Sequence, residues 1–193
     1  MKTIKITLVA MVAALFSFTV LEQFTYSVDN GHSRLGFTIK HMGISDFNGA
    51  FTNYESTITT SKADFSDAVI TLSADVNSIN TANEMRDGHL KGADFFDAEK
   101  YPTLNFKSTS FKLVKGNKYK VIGDLTMHGV TKKVELDATY NGSLQHPQSK
   151  KTVAGFKVTG TIKRSDFGIG AGFPAPMLSD EVNLLADLEL ARD

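Results

Sequence analysis

The sequence predicts an all-β protein that forms an antiparallel barrel of about eight strands, with one short helical segment near residues 82–98. Three observations lead to this fold class. Apolar and polar residues alternate with period two along most of the chain, which is typical of strands with one buried face. About eight segments show this alternation, the number found in small antiparallel barrels. Glycine-containing turns separate several of the segments.

The strand predictions follow from the alternation within each segment. In the first segment, Leu35, Phe37 and Ile39 share one face while the intervening residues share the other. The later segments repeat this pattern, and we expect the apolar set of each to face the barrel interior. The predicted strands cover residues 35–40, 51–58, 70–76, 104–107, 119–126, 133–140, 154–162 and 182–190.

Turn residues lie where the strands have to be joined. Lys115-Gly116-Asn117 and His128-Gly129 predict tight turns between neighbouring strands, and Asn141-Gly142 predicts the end of a strand. The one predicted helix covers about residues 82–92 and opens after Thr81 as its N-cap. The sequence contains no internal repeat and no linker, so one barrel domain is expected.

The composition fits a single globular domain. The chain has 193 residues, of which 41% are hydrophobic and 22% charged, and this balance argues against disorder. Lys plus Arg and Asp plus Glu each number 21, without a basic stripe, so nucleic-acid binding is not expected. Cysteine is absent, which excludes disulfides and thiolate chemistry.

The N-terminal residues predict export. Residues 1–5 form a short basic start and residues 6–21 are almost entirely apolar, which is the layout of a secretory signal peptide. The apolar run is short for a membrane span, but an uncleaved anchor stays an alternative because no clear cleavage site precedes Glu22. We therefore predict a signal peptide over 1–22 and a barrel domain over 23–193. The protein is expected to be periplasmic or secreted, with no stable membrane insertion after the leader is removed.

The barrel interior is predicted to be rich in phenylalanine. Fourteen Phe and no Trp supply bulky side chains without a polar group. A barrel of this strand number either fills its interior with side chains or holds one ligand, and this composition suits both. Phe95 and Phe96 are adjacent in a segment predicted to be extended, so their rings are expected to point to opposite sides, one closing the barrel as a lid or floor of the pocket and the other meeting another loop. Simple core packing is the alternative for the pair.

A polar cluster, Arg86-Asp87-Gly88-His89, interrupts the strands. On a helical turn Arg86 and His89 are three residues apart and face the same side, with Asp87 beside them. Such a trio can contact a phosphate or quinone head, because Arg offers a planar fork of donors and His a tunable one. The alternative is structural, with Arg86 and Asp87 bonded to loop carbonyls and amides where the barrel closes.

Metal and catalytic chemistry find little support in the sequence. The five histidines lack the His-x-His and His-Glu-x-x-His spacings of metal sites, so neither a metal nor a cofactor is predicted. His41 continues the apolar face of the first strand and is expected near the barrel rim. The glycines at 168–172 resemble a phosphate-binding loop, but prolines rather than a helix follow them.

Several blocks, in order along the chain, carry a resemblance to a known family. They are 32–41 (HSRLGFTIKH), 85–90 (MRDGHL) with Asp94-Phe95-Phe96-Asp97 and Tyr101-Pro102, 125–132 (LTMHGVTK), and 164–168 (RSDFG) with 180–182 (DEV). From about Tyr26 to the C-terminus, the chain resembles the YceI-like family of lipocalin-like, polyisoprenoid-binding periplasmic proteins. The resemblance implies a carrier that holds one prenyl pyrophosphate, prenol or prenylated quinone. It is compatible with a homodimer, although no residue selects one.

We combine this resemblance with the strand pattern to predict the site. The residues expected to bind the head group or to lie at the mouth are His41, Arg86, Asp87, His89 and Arg164, with structural pairing as the alternative for Arg164. The residues expected to contact the apolar tail are Phe37, Ile39, Phe51, Ile70, Leu72, Phe95, Phe96, Leu125, Phe156 and Phe167. Two alternatives stay open. One is a carrier of another apolar ligand, such as a fatty acid or fatty amide. The other is an enzyme that acts on a prenyl substrate, with Asp87 or His89 as acid or base.

Overall fold

Alternating inward and outward side chains fold the chain into a closed antiparallel barrel in the computed structural model, which describes residues 22–193. The predicted signal peptide, residues 1–22, lies outside the described residues except for Glu22. One α-helix, α1 (Glu84–Lys91), and two short 3-10 helices, Val76–Ser78 and Arg164–Phe167, accompany the strands. The strands are β1 (Phe24–Val28), β2 (Arg34–His41), β3 (Ser45–Phe51), β4 (Tyr54–Thr60), β5 (Val69–Asp75), β6 (Ile79–Asn80), β7 (Thr103–Lys115), β8 (Lys118–Met127), β9 (Val130–Gln145), β10 (Thr152–Lys163) and β11 (Leu178–Arg192).

Eight strand positions close the barrel, which confirms the predicted fold class. Three of the positions are each built from two consecutive strands, namely β1 with β2, β3 with β4, and β5 with β6. The other five positions are the single strands β7 to β11, which follow one another around the ring. Both β1 and β2 pair with β11, so the ring closes between the first and last strands of the chain.

The start of α1 differs from the sequence prediction. The N-cap is Asn83 and not Thr81, because the Asn83 side chain accepts a hydrogen bond from the backbone N–H of Arg86 at 3.0 Å. Thr81 is instead bonded to the Asp87 carboxylate, which holds it just ahead of the helix. The helix is consequently two residues shorter at its start than the apolar and polar pattern indicated.

Two strand boundaries also differ from the prediction. Asn141-Gly142 does not end a strand, because β9 continues to Gln145 through a bulge opposite Gly155. Gly142 has a φ of 114° there, a backbone conformation that glycine adopts readily. The predicted strand at 51–58 is interrupted between β3 and β4, and β1 precedes the first predicted strand.

The two ends of the barrel differ in how they are covered. At the end called here the closed end, the loop between β4 and β5 folds inward and buries Phe65. The ring centroid of Phe65 lies 5.1–5.3 Å from those of Tyr26, Tyr140 and Phe156. This cluster of rings fills the barrel where its first and last strands meet.

The opposite end, called here the mouth, is formed by the β2–β3 turn, the segment from α1 to β7, the β8–β9 turn and the β10–β11 loop. Leu90 and the neighbouring rings of Phe95 and Phe96 pack against the barrel interior from this side. Among residues 22–193, no helix is both long and apolar enough to cross a membrane.

Candidate ligand-binding site

An apolar cavity of about 440 Å³ occupies the barrel interior. This volume lies within the range of about 300–1,000 Å³ that is typical of small-molecule sites. The cavity runs from the mouth, where His41, Arg86 and Met177 border it, toward Ile58 and Phe156 near the closed end. Between these limits its walls are almost entirely aliphatic and aromatic side chains, so it offers a tail-shaped apolar molecule a continuous carbon surface.

The cavity brings together nine of the ten residues predicted to contact an apolar tail. Phe167 is the exception, because it is buried behind the wall and its backbone carbonyl bonds Nδ1 of His128 at 2.9 Å. That the nine residues bind a ligand stays a prediction. They are Phe37, Ile39, Phe51, Ile70, Leu72, Phe95, Phe96, Leu125 and Phe156.

Phe95 and Phe96 both border the cavity, although the sequence predicted that they point to opposite sides. The reason is that they lie in a series of turns after α1 and not in an extended segment. Their contacts still differ. The ring of Phe96 meets that of Phe51 at 5.9 Å, whereas that of Phe95 packs on Phe173 of the β10–β11 loop at 4.8 Å. The pair therefore joins the helical segment to two other parts of the mouth.

Two glycines keep the cavity open by letting aromatic rings lie along its wall. Gly49 pairs with Phe37 across β2 and β3, and a Cβ atom at Gly49 would lie 2.3 Å from Cζ of Phe37. A Cβ atom at Gly123 would lie 2.4 Å from Cζ of Phe106 in the same way. A larger residue at either position would push the ring toward the interior, since neither distance admits a carbon atom.

The block Arg86-Asp87 is divided between a structural role and a cavity-facing one. Arg86 Nε and Nη2 donate to the hydroxyl and carbonyl oxygens of Thr81, each at 2.7 Å. The Asp87 carboxylate accepts from the Thr81 N–H at 2.8 Å and from its hydroxyl at 2.5 Å. Asp87 thus anchors the turn before α1 and lies outside the cavity lining, while Arg86 borders the cavity with its guanidinium carbon 4.6 Å from the Phe47 ring centroid.

Arg164 organises the β10–β11 loop, and this differs from the prediction that it meets a head group. Its guanidinium is buried, and five hydrogen bonds to backbone carbonyls use all five of its N–H donors. No donor is left for a ligand, although the side chain borders the cavity. The five carbonyls are those of Ile169, Gly170, Phe173, Leu178 and Ser179.

Asp180 supplies a negative charge close to the buried Arg164. Burial by itself raises the pKa of this carboxyl. Hydrogen bonds from the Ser165 N–H at 3.0 Å and hydroxyl at 2.9 Å act in the opposite direction, and so does the charge of Arg164. The net result is a pKa below the ordinary value of 3.8, so Asp180 is ionised at neutral pH and partly balances the guanidinium.

Two histidines at the mouth pack against aromatic rings. The ring centroid of His41 lies 5.2 Å from that of Phe47, and that of His89 lies 4.9 Å from that of Phe95. Both histidines border the cavity, as does Arg86. The mouth therefore joins three nitrogen-bearing side chains to an interior that is otherwise apolar, an arrangement that matches a ligand with one polar end.

Three further mouth residues, Phe47, Phe173 and Met177, border the cavity and were missed in the sequence. Phe47 pairs with Ile39, so continuing the alternation of β2 across the tight turn into β3 identifies it. Phe173 and Met177 lie in a loop without periodicity, so no pattern in the sequence signals them.

A second polar group lies away from the cavity, where Asp29, His32 and Glu189 bring their possible ligand atoms within 4.8 Å of one another. The Asp29 carboxylate and the Nδ1 atom of His32 are 3.0 Å apart. This hydrogen bond raises the pKa of His32, and it lowers that of Asp29 together with a bond from the Gly31 N–H. The sequence signal for the pair is its Asp-x-x-His spacing, whereas Glu189 joins it only through the pairing of distant strands.

Comparisons with known proteins agree with this architecture. A model of the YceI-like domain matches residues 26–190. The UPF0312 protein SA2479 of Staphylococcus aureus (strain N315) is 37% identical over 144 residues, which cover 75% of this chain and 81% of that protein. The crystal structure of Burkholderia cenocepacia BcnA has a TM-score of 0.76 and 26% identity, over 84% of this chain and 98% of BcnA. A polyisoprenoid binding domain from Saccharophagus degradans, implicated in plant cell wall breakdown, has a TM-score of 0.61 over 87% of this chain and 98% of that domain. Its identity is 20%, so that similarity is one of fold.

Proposed function

The chain belongs to the YceI-like family, and on that premise we propose that it is an exported carrier or sequestering protein that holds one polyisoprenoid-type lipid in its barrel. The observation that carries the proposal is the cavity of about 440 Å³ with carbon-lined walls and polar groups at one end. A similarly folded domain from Saccharophagus degradans is a polyisoprenoid binding domain, which supports this ligand class. The basic and apolar N-terminus supports export.

Burial of the tail supplies the binding free energy in this proposal. Each methylene group moved from water into an apolar site contributes about 0.8 kcal/mol of favourable free energy. Transfer of several isoprene units from water into the cavity is therefore strongly favourable. The closed end, with Phe111, Val121 and Phe156 around the cavity, suits the terminal carbons. A lipid of this kind crosses an aqueous compartment only inside such a protein or a membrane.

The polar head lies at the mouth in this proposal. Arg86 borders the cavity and uses two of its five N–H donors on Thr81, and in this proposal the other three bind a phosphate, hydroxyl or carbonyl oxygen. His41 and His89 border the same opening. Arg164 and Asp87 hold the loops that shape the opening and make no contact with the head. In this proposal the protein binds its ligand without a catalytic step.

The test is native mass spectrometry of the protein purified gently from its host, run intact and after solvent extraction. A stoichiometric prenyl species supports the proposal and identifies the ligand. A stoichiometric fatty acid or fatty amide contradicts the ligand class and keeps the carrier role. A barrel that remains empty when it is supplied with prenol contradicts both.

A pair of variants ties such binding to the cavity. Val158 borders the cavity and pairs with Ala138 and Ala186, so a ring in Val158→Phe has space to enter the interior. Thr159 is the next residue on the same strand and is exposed, so Thr159→Phe adds the same ring outside. We expect loss of prenol binding in the first variant and none in the second. Equal binding by both variants contradicts the assignment of the cavity as the site.

A further inference from the structure

Four exposed apolar side chains surround the mouth. They belong to Met42 and Ile44 in the β2–β3 turn, Met85 in α1 and Met177 in the β10–β11 loop, and we call them the mouth collar. Their relative exposures are 60%, 84%, 87% and 49%, respectively. Four other large apolar side chains, Val69, Leu113, Val114 and Leu144, are exposed near the closed end, but they do not border the cavity. What distinguishes the mouth collar is its position around the end at which the cavity opens.

Contacts between the segments show that the collar is one continuous feature. The Met42 N–H donates to the Met177 carbonyl at 2.9 Å, which joins the β2–β3 turn to the β10–β11 loop. On the other side, the guanidinium of Arg86 lies over Phe47 of β3, which ties α1, the helix that carries Met85, to the same hairpin. Three separate parts of the chain therefore present apolar tips around one opening.

The apolar surface continues from the collar into the cavity. Met177 is half exposed and also borders the cavity, and Phe47 borders it directly behind the β2–β3 turn. The charges of Lys40 and Asp46 at the base of the turn are paired at 2.7 Å. An apolar path thus runs from the cavity past Phe47 and Met177 to the collar, beside the polar groups of His41, Arg86 and His89.

The shape of the collar favours a lipid surface over a protein as its occupant. Protein interfaces concentrate their binding energy in aromatic and Arg residues near the centre of the patch. Here the aromatic rings and Arg86 at the opening already pack on one another or bond Thr81. The outermost side chains are instead three unbranched Met and one Ile, carried by two loops and α1. Apolar side chains that protrude around a hole can enter the boundary of a bilayer together, and they do not need a complementary shape.

We propose that the mouth collar inserts into the interface of a lipid bilayer, so that the ligand passes between membrane and cavity without crossing water. The inference rests on the proposed function, because it concerns how the same cavity is loaded and emptied. It assigns the membrane itself as the partner at the mouth.

The test compares a collar variant with a matched variant at the other end of the barrel. Met42→Ser, Ile44→Ser and Met85→Ser are combined, and Met177 is kept because it borders the cavity. The control combines Val114→Ser and Leu144→Ser, whose side chains are 65% and 62% exposed near the closed end. Both variants change only exposed residues, so both are expected to fold.

Two readouts use phosphatidylcholine vesicles and a fluorescent prenol. Flotation measures binding of each protein to vesicles without ligand, and stopped-flow fluorescence measures transfer of the prenol from vesicles to protein. We expect the wild-type transfer rate to rise with vesicle concentration. We expect vesicle binding and transfer to fall about tenfold or more in the collar variant, because three apolar side chains are lost from the interface, and to be unchanged in the control.

Uptake of the same prenol from a soluble cyclodextrin complex separates this inference from the proposed function. If the wild-type protein takes up prenol from cyclodextrin but the collar variant equals the control with vesicles, the collar inference is overturned and the carrier role stands. Absence of vesicle binding by the wild-type protein also overturns it and favours a protein partner. Failure of uptake from cyclodextrin contradicts the proposed function, while flotation still decides whether the collar binds lipid.

Discussion

The ring of Phe37 lies so close to Gly49 on the neighbouring strand that a Cβ atom at position 49 would stand 2.3 Å from Cζ of the ring. The two residues are paired directly across β2 and β3. Because Gly49 has no side chain, the ring rests against the wall and the space in front of it belongs to the cavity. The volume available to a ligand thus depends on glycine at position 49, because any side chain there would displace the Phe37 ring into the cavity.

Gly49→Ala is expected to narrow the cavity. The new methyl group forces the Phe37 ring inward, and overpacking of this kind typically lowers the free energy of unfolding by about 1–3 kcal/mol. The displaced ring also takes up cavity volume, so we expect an apolar ligand to bind about tenfold more weakly. Titration with the dye N-phenyl-1-naphthylamine measures the change. Gly88→Ala is the control, since a Cβ atom there meets nothing within 4 Å. In α1 this change should raise the free energy of unfolding by up to about 1 kcal/mol and leave dye binding unchanged. Equal dye affinity in all three proteins would exclude the proposed role of Gly49.

Arg164→Met is expected to destabilise the β10–β11 loop and the whole barrel. The substitution removes the guanidinium donors from five backbone carbonyls, of which that of Gly170 has a second donor, the Phe173 N–H. Each unmet buried acceptor costs about 1–3 kcal/mol, so a loss of at least about 3 kcal/mol is expected in urea denaturation. Arg164→Lys should rescue little, because Lys has three donors and lacks the planar fork. Arg34 is exposed, and Arg34→Met should change stability by no more than about 0.5 kcal/mol. Similar losses in the free energy of unfolding for Arg34→Met and Arg164→Met would contradict the structural role of Arg164.

Two buried tyrosines are predicted to differ in how removal of the hydroxyl group changes the stability of the protein. The Tyr54 hydroxyl has no hydrogen-bond partner among residues 22–193, and burial raises its pKa. Tyr54→Phe should therefore leave the melting temperature unchanged or raise it. The Tyr119 hydroxyl donates to the Asp64 carbonyl at 2.6 Å in the closed-end loop, so Tyr119→Phe should cost about 0.5–1.5 kcal/mol. Thermal unfolding of both variants decides the matter, and a larger loss at Tyr54 would contradict the prediction.

The Asp29–His32 pair predicts a pH window for its contribution to stability. The hydrogen bond and charge of Asp29, with the charge of Glu189, raise the pKa of His32 above its ordinary value of 6.5. This contribution is complete below 6.5 and is lost as the pH rises through the folded-state pKa. The pKa of Asp29 is lowered from 3.8, so its contribution is present above that pH and is lost as the pH falls through the folded-state value.

An NMR titration of the His32 ring tests this window directly. We expect a pKa above 6.5 in the wild-type protein and a value closer to 6.5 in Asp29→Asn, where the carboxylate charge is absent. His146 lies in a different loop and serves as the internal reference. A His32 pKa that does not respond to Asp29→Asn would show that the pair is not formed in solution.

The sequence predicts the barrel wall well because strand alternation is a local property. Phe37, Ile39 and Leu125 face the cavity, as the alternation predicts, because every second side chain of a strand points inward. For Asp87 the sequence left a ligand contact and a structural bond to the loop both open, and the bonds to Thr81 agree with the structural alternative. The pattern of alternation does not identify the partners of Arg164, because they are backbone carbonyls of a loop without a periodic pattern.

The corrected N-cap of α1 has a related cause. Thr81 and Asn83 are both suitable capping residues, and only the tertiary bonds of Thr81 to Arg86 and Asp87 decide between them. The conformation of the mouth depends on tertiary hydrogen bonds of this kind more than that of the strand wall does. Most differences between the predicted and the observed site residues therefore lie at the mouth.

Over residues 22–193, the buried Phe65 and the rings around it close one end of the barrel, and the cavity opens at the mouth. In the proposed function, a lipid therefore enters tail first and leaves head first through the same opening, and it does not pass through the barrel from one side to the other. The donor and the acceptor then meet the mouth in succession, so the slower of the two exchanges limits the rate of delivery.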